Sequence, residues 1–569
     1  MMGMHDDGVD GVRRTPLYLD APDTAASLRV VLVTPPVVPA WLATFVAEAS
    51  ASAFVDLEVV PSNSVSPPRR GRLSFDLGLF LSLERIVFRW LGRVIGRRVV
   101  GPLSRLALGG SRQSDPGSIP ALLARLEASS PDLVLLHGAE EHAEELAGLA
   151  RYGCWILDPD LTDPGYAGLP LLAPIIQGDK ATGMSLYLVP KEVEGHPADA
   201  VVTSYGATSA MSFSQQRDLA LAKLPALLLR VLRRQHDGRA GSAGTVQSLR
   251  MTPPSFSLQP NAGVRSFAVA IRQFLDWRGR RIRARLPWFL LLPGADSALD
   301  PAVPRIAAHT SLVAPGKDYW ADPFPLSLDG RRLLFVEEFV DAQNKGIIVC
   351  LELLEDGTAT RLGVVLDEDA HLSYPQVFEW EGKWYMTVES CEANRVSLYA
   401  AEEFPLRWRR VSDLVEGREC VDPTLHHHDG VWYLFGNISE SGGGLSDELF
   451  LFTADRLDGP YRPHPDNPIL SDARMSRPAG RLFTHNGKLV RPAQCCVPIY
   501  GAAVVFNEVL ELSPLRYRER PMSRLEPDAL PGLDGCHTYN VSQGFEVLDA
   551  HGQPPPEVSR MALVGPVGQ

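Results

Sequence analysis

The stretch Tyr319-Trp320-Ala321-Asp322-Pro323-Phe324-Pro325-Leu326-Ser327-Leu328-Asp329-Gly330-Arg331-Arg332-Leu333-Leu334-Phe335-Val336-Glu337-Glu338 decides the reading of the second half of the chain, because its pattern returns. Pro323 of the Asp322-Pro323 pair is followed after seven residues by Gly330 and then by an apolar run ending in Glu337 and Glu338. Tyr374-Pro375 is followed at the same distance by Gly382 and WYMTVES, and Asp422-Pro423 by Gly430 and WYLFGN. The proline-to-proline spacings are 52 and 48. A looser fourth copy runs through Arg477-Pro478, Asn486-Gly487 and KLVRPAQ, and a fifth is expected to begin at Cys536-His537-Thr538 and to turn near His551-Gly552. Each copy reads as an inner strand, a tight turn and an apolar second strand. Repeats of this length that cannot bury their faces singly do so by stacking around an axis, which predicts an all-β five-bladed propeller over residues 301–569.

Upstream, the period changes. Apolar runs at 28–34, 55–61, 132–137, 153–157, 184–189 and 200–205 alternate with helix-like segments at 119–128 and 140–150. That alternation predicts a mostly parallel sheet covered by helices, a Rossmann-like α/β domain over residues 28–236. Residues 214–236 form its last helix, ending in Arg and His as helix C-termini favour. Residues 1–27 are expected to be disordered, and 237–300 to be a linker, Gly/Ser/Pro-rich at first and then basic. The basic part, 264–290, pairs Arg with Trp and Phe. A peripheral membrane contact is one reading of it, and a solvated amphipathic helix docked between domains is the plainer one.

The chain has 569 residues, too many for one core, with 45% hydrophobic and 22% charged residues. This excludes disorder or a fibrous repeat as a description of the whole. A formal net charge of −13 argues against nucleic acid as the partner. Seven cysteines form no disulfide framework, the N-terminus reads as no secretory signal, and charges interrupt the apolar stretches 77–108 and 267–292. A cytoplasmic protein, membrane-peripheral at most, is the expectation.

Propeller inner strands converge on the axis. Asp322, Tyr374, Asp422, Arg477 and His537 are therefore expected around one funnel, where they suit sugar hydroxyls or a phosphate. Paired carboxylates are also what glycosidic chemistry needs, although Asp-Pro at a strand start also makes a plain turn cap. Glu337 and Glu389 close the second strands and are candidates for the rim of the same pocket. Arg491 and Gln494 are candidates for an anionic or hydroxyl-rich ligand. His426-His427-His428 cannot easily share one metal, because neighbours on a strand face opposite ways, and no cysteine pattern implies zinc. The first half lacks the usual glycine-rich phosphate loops.

The propeller region resembles the domain that precedes the glycosyltransferase domain in plant glucosamine inositolphosphorylceramide transferases. The motifs that carry this are Trp320-Ala321-Asp322-Pro323-Phe324, His371-Leu372-Ser373-Tyr374-Pro375, Val421-Asp422, Gly480-Arg481-Leu482-Phe483, and Arg491-Pro492-Ala493-Gln494 with Tyr500-Gly501. The resemblance adds Arg481 to the binding candidates. The sequence stops after the propeller, so that family's transferase activity is not carried over. More distantly, the architecture is similar to arabinanase- and invertase-type glycosidases. That likeness makes Asp322 the base or nucleophile and Asp422 its tuning partner, and displaces the acid to Glu337 or Glu389, because Ser476-Arg477-Pro478 stands where those enzymes carry a glutamate. It would also put a calcium ion on the axis near His537; the residues themselves imply no metal and no other cofactor.

Residues 130–208 resemble the formyltransferase domain of methionyl-tRNA and sugar N-formyltransferases. The motifs are Gly153-Cys154-Trp155-Ile156-Leu157-Asp158-Pro159-Asp160, Tyr166-Ala167-Gly168 and Thr182-Gly183-Met184-Ser185. The resemblance puts the catalytic Asn, His and Asp of that family on Ile156, Asp158 and Glu194. Formyl transfer needs the Asn to hold an oxyanion and the His to manage the amine proton. Isoleucine does neither, so a formyltransferase-type fold without formyl transfer, and without folate, is expected. The function that follows is the handling of a glycan, nucleotide-sugar or glycolipid head group in polysaccharide or glycolipid biosynthesis. The alternatives are a sugar N-formyltransferase with an accessory propeller and a non-catalytic glycan-binding scaffold.

Overall fold

Seven strands in the first half join in one sheet in the computed structural model: Leu28–Thr34 (β1), Val55–Pro61 (β2), Leu133–Leu136 (β3), Cys154–Leu157 (β4), Ala181–Pro190 (β5), Ala200–Ala207 (β6) and Val246–Arg250 (β7). The structure describes residues 16–20, 26–61, 79–80, 82–83, 86, 105–107, 118–138, 140–157, 171–190, 200–208, 213–239, 244–250, 264–265, 268–269, 271–272, 286–293, 299–305, 309–440, 443–527, 532–554 and 559–565. The strand order is β2-β1-β3-β4-β7-β5-β6. The first five of these run parallel, and β5 and β6 are antiparallel. Helices Ala40–Ala51 (α1) and Phe213–His236 (α3) cover one face, with Trp41, Phe45, Leu224 and Leu227 in its core. Helix Ile119–Ser129 (α2) covers the other through Leu122 and Leu126.

Two segments depart from expectation. Val246–Arg250, read as linker, is a strand inserted between β4 and β5. Its five residues are too few to show a period. The approach is made possible by Gly153, whose φ is 80° and on which a Cβ would lie 1.9 Å from the Thr245 carbonyl oxygen. Leu17–Leu19, read as part of a disordered N-terminus, forms a buried turn, because three apolar residues find two cores. Leu17 packs against blade III of the propeller, and Tyr18 and Leu19 against the α/β core.

The first four propeller blades are antiparallel sheets of four or five strands, with Leu563–Val564 added in parallel at the outer edge of blade I. Blade I starts with Tyr319–Leu328 and Arg331–Val340, and blade II with Ser373–Trp380 and Lys383–Ser390. Blade III starts with Cys420–His428 and Val431–Ile438, and blade IV is built on Lys488–Cys495. Their hairpins turn at Asp329-Gly330, Glu381-Gly382, Asp429-Gly430 and Asn486-Gly487, with φ near 50° and then between 72° and 80°. These are the two positive-φ positions of a type I′ turn. The fifth hairpin joins Tyr539–Ser542 to Phe545–Gly552 and turns at Gln543-Gly544, with φ of 50° and 76°, rather than at His551-Gly552. The turn was hidden because no proline stands seven residues before Gly544, where the first three copies carry one. Blade V is completed from the other end of the ring by Trp288–Pro293, which the linker reading had missed, and His309–Leu312. Pairing segments before blade I with segments after blade IV closes the ring by hydrogen bonds and removes an edge.

The two halves are docked. Lys223 and Arg230 on α3 pair with Asp447 and Glu448 of blade III at 2.8 and 2.5 Å. The outer edge of β6 is covered where the Ala473 N–H donates to the Tyr205 carbonyl (2.9 Å) and Arg474 lies 3.9 Å over the Tyr205 ring. No helix among the described residues is long and apolar enough to cross a membrane, and most of segment 264–290 lies outside the described residues.

Candidate functional site

Asp322, Tyr374 and Asp422 each sit in a register break of an inner strand with φ of 48°, 53° and 51°. A non-glycine residue held left-handed at a bulge re-aims its side chain out of the regular ladder. A second set of polar groups comes from the next strand. Seven residues after the turn glycine stand Glu337, Glu389, Asn437 and Gln494, and blade V offers Asp549 five residues after Gly544. All five are buried. Asn437 and Asp549 were not among the residues singled out from the sequence, although the constant offset from the turn glycine was the signal that finds Asn437.

The two sets interlock. Asp422 Oδ2 accepts from Arg477 Nε at 2.5 Å and from Gln494 Nε2 at 2.7 Å. The Asp422 N–H donates to Glu389 Oε2 at 2.7 Å. Across the axis, His537 Nδ1 is 2.5 Å from Asp549 Oδ2, which also accepts the Asp322 N–H at 3.1 Å. His537 Nε2 faces Asp322 Oδ1 at 3.7 Å, and the Thr538 hydroxyl donates to that oxygen at 2.7 Å. Glu337 lies 3.2 Å from His371. Trp288 stacks on His537 with ring centroids 4.0 Å apart, Tyr500 meets His537 edge-on at 5.2 Å, and Arg477 lies 4.7 Å over Tyr500. Tyr500 is 38% exposed, so this buried cluster reaches solvent through an aromatic ring.

Burial and the Asp422 carboxylate push Glu389 up to about 7. Burial likewise raises Asp322 well above the carboxylate range against the pull of His537, with Asp422 and Glu337 adding to the rise. Burial opposes the charge of His537 and His371, but Asp549 and Glu337 respectively outweigh it and lift each to about 9.

The other expected residues fall elsewhere. Tyr374 is fully buried, its hydroxyl 2.8 Å from the Thr424 hydroxyl and accepting the Gly480 N–H at 2.6 Å, so the phenol ties blades II, III and IV together. Arg481 lies between the inner strands of blades I and II, its Nη2 3.3 Å from the Val377 carbonyl, and burial lowers it to about 10. Arg491, expected at the ligand, instead pairs bidentately with Glu519 at 2.7 Å on both arms. Three positions separate it from Gln494, and on an alternating strand that odd number puts the two side chains on opposite faces. Ile156 is buried in the α2-side core; Asp158 and Glu194 lie outside the described residues. His427 packs between Trp380 and Trp432.

Among the described residues one group has metal-ligand proximity: Asp322, His537 and Asp549, their ligand atoms within 4.8 Å of one another. It does not fit calcium, which takes six to eight oxygens. Asp549 Oδ1 already accepts the His537 and Thr538 N–H groups, its Oδ2 accepts Asp322 N–H and faces the imidazole, and Asp322 Oδ1 accepts Thr538. The group reads instead as an imidazole oriented by Asp549 toward Asp322. Two amide groups are different. Asn437 Nδ2 and Oδ1 and Gln494 Oε1 are buried with no hydrogen-bond partner among the described residues.

Residues 296–528 match the family model for the N-terminal region of glucosamine inositolphosphorylceramide transferase 1. A rice (Oryza sativa subsp. japonica) protein of that name is 31% identical over 290 residues, 48% of this chain and 38% of the relative. The Arabidopsis thaliana protein is 34% identical over 231 residues, 40% of this chain and 30% of the relative. This chain thus spans less than two fifths of the curated relatives it matches. Among solved structures, a family 117 glycoside hydrolase of Zobellia galactanivorans is similar with a TM-score of 0.31 and 16% identity, covering 46% of this chain and 82% of that one. An α-L-arabinanase of Cellvibrio cellulosa gives 0.28 and 13%, covering 36% and 77%. The likeness of the propeller to the plant family is shown by these matches; the formyltransferase likeness of the first half is not shown.

Proposed function

We propose that the propeller funnel binds a glycan or glycolipid head group, in the service of polysaccharide or glycolipid biosynthesis. The observation that carries this is the Asn437 amide, buried with donor and acceptor both unpaired beside the Asp422–Arg477–Gln494 network. A buried amide without partners is costly unless a ligand supplies them, and a hydroxyl both donates and accepts. Tyr500, 38% exposed, is where the cluster meets solvent and where a sugar would first touch it. The relatives named for inositolphosphorylceramide favour a head group bearing hydroxyls and phosphate, for which His537, charged at neutral pH, is suited.

Turnover of the bound glycan is the finer reading. Glu389, near 7, carries a proton through the lower neutral range as a general acid must. Asp322 would serve as base only once ionised, a state that burial opposes and that the imidazolium of His537, 3.7 Å away, favours. Titrating the full chain with soluble oligosaccharides and inositol phosphates tests the binding. Asn437→Leu and Tyr500→Ala are each expected to weaken it at least tenfold; a parent chain that binds none of these compounds would refute the proposal. Asp322→Asn and Asp422→Asn variants that still bind but no longer turn glycan over would assign catalysis, whereas unchanged turnover would remove it.

A further inference from the structure

The carboxyl ends of β1 and β3 gather three buried polar groups that the propeller does not involve. Thr34 closes β1 and is fully buried; His137 follows β3 and Trp41 lies in the first turn of α1, each 3% exposed. Thr34 Oγ1, His137 Nδ1 and Trp41 Nε1 have no hydrogen-bond partner among the described residues. They share one place. The pairing of Val33 with Leu136, continued by the His137 N–H to the Val33 carbonyl at 2.9 Å, sets Thr34 beside His137. Val33 and Leu136 belong to the core under α2. Alternation therefore turns Thr34 and His137 to the opposite face, where α1 lies and where the rings of Trp41 and His137 meet edge-on at 6.2 Å.

This place is also the turning point of the sheet. From β1 the strand order runs one way to β2 and the other way to β3, and open α/β sheets bind ligands outside the carboxyl ends of the strands where the order reverses. Helix α1 starts at the same edge, its N-cap is Pro39, and no side chain among the described residues caps it, which leaves its first N–H groups for a ligand. Gly138, with φ of 93°, follows His137 and presents no side chain there. The indole N–H can only donate, and the hydroxyl and imidazole can donate too. Burial holds His137 neutral, at about 4. The groups are rich in donors and carry no cation of their own, which suits the acceptor oxygens of an oxyanion.

We propose that the α/β half binds the phosphate of a phosphorylated small molecule at this edge, through Thr34, Trp41, His137 and the first N–H groups of α1. The ligand is a sugar phosphate or a nucleoside diphosphate, which share that chemistry. Isothermal titration of the full chain with inorganic phosphate, glucose 1-phosphate and uridine diphosphate tests it. Beside any binding at the propeller, one saturable site that depends on Thr34 and Trp41 is expected, where the two larger compounds bind more tightly than inorganic phosphate. Tighter binding of uridine diphosphate assigns the nucleotide, and the reverse assigns the sugar phosphate. Thr34→Val and Trp41→Phe are expected to weaken binding at least tenfold, while Arg456→Ala on the exposed surface of the propeller leaves it unchanged. Thr34→Val removes an unpaired buried hydroxyl at nearly constant volume, so it should melt no lower than the parent. Lost binding in a chain at least as stable separates a ligand contact from a structural role. No heat from any of the three compounds, or titrations of Thr34→Val and Trp41→Phe that overlay the parent, overturns the proposal.

Discussion

Arg491→Met is expected to destabilise the chain by about 3–5 kcal/mol, the cost typical of breaking a buried ion pair from one side. The Arg491 and Glu519 side chains are 1% and 0% exposed. Burial opposes the charge on Arg491, but Glu519 and Tyr517 outweigh it and hold the guanidinium above its ordinary range. The remaining donor on Nη2 reaches the Met475 carbonyl at 2.7 Å, and Tyr517 donates to Glu519 at 2.5 Å. Methionine fills much of the space and leaves the Glu519 carboxylate buried with one phenol. The double variant Arg491→Met/Glu519→Leu removes both charges and is expected to recover most of the loss, because an apolar pair of similar volume needs no solvation. Urea unfolding of the parent, single and double variants checks this. A single variant with the parent's midpoint would show that the pair contributes nothing to blade IV.

What the sequence made legible was what recurs. A turn glycine at a fixed offset from Asp322, Tyr374 and Asp422, preceded by Asp, Glu and Asp, marks a left-handed turn and therefore a hairpin, and the blades follow. Closure was not legible, because Trp288–Pro293 pairs with a strand some 250 residues later and no local period records that. The same limit hid Val246–Arg250 in the N-terminal sheet. His537 joins the site from the segment just before the inner strand of blade V, and Asp322, Asp422 and Glu389 come together there because each stands at a repeated position on an inner or second strand. Tyr374 stands at such a position too, yet its hydroxyl is taken by Thr424 and Gly480, contacts that depend on blade packing rather than on spacing. Arg491 was misplaced for a simpler reason: counting along a strand in steps of two sends it away from Gln494. The formyltransferase likeness that singled out Ile156 is not shown, and Ile156 is simply a side chain of the core under α2.

Glu389→Gln should raise stability above neutral pH. The carboxyl of Glu389 lies near 7 in the folded chain against 4.5 for an ordinary glutamate. Between those values the folded state holds a proton that the unfolded state has released, so stability from this group falls as pH rises. The penalty is absent below pH 4.5, grows through the interval and is complete above pH 7, where it amounts to about 3 kcal/mol. Glutamine carries no charge at any pH, and its oxygen can still accept the Asp422 N–H. The gain is reduced by the attraction that Arg477 and His371 lose, so it is an upper bound. His537 and His371, both raised to about 9, stabilise the fold fully below pH 6.5 and lose that contribution as pH climbs through 9. Subtracting parent from variant cancels most of the His537 contribution, because its charge is held chiefly by Asp549 and Asp322. The difference in unfolding free energy, measured in urea from pH 4.5 to 8.5, is therefore expected to open from near zero to its full size around pH 7. A difference that stays flat across that range would mean that Glu389 ionises as freely as an exposed glutamate. In that case it would also lack the proton that the acid role requires, and an opening difference together with lost turnover would mark a carboxyl kept at a stability cost for its chemistry.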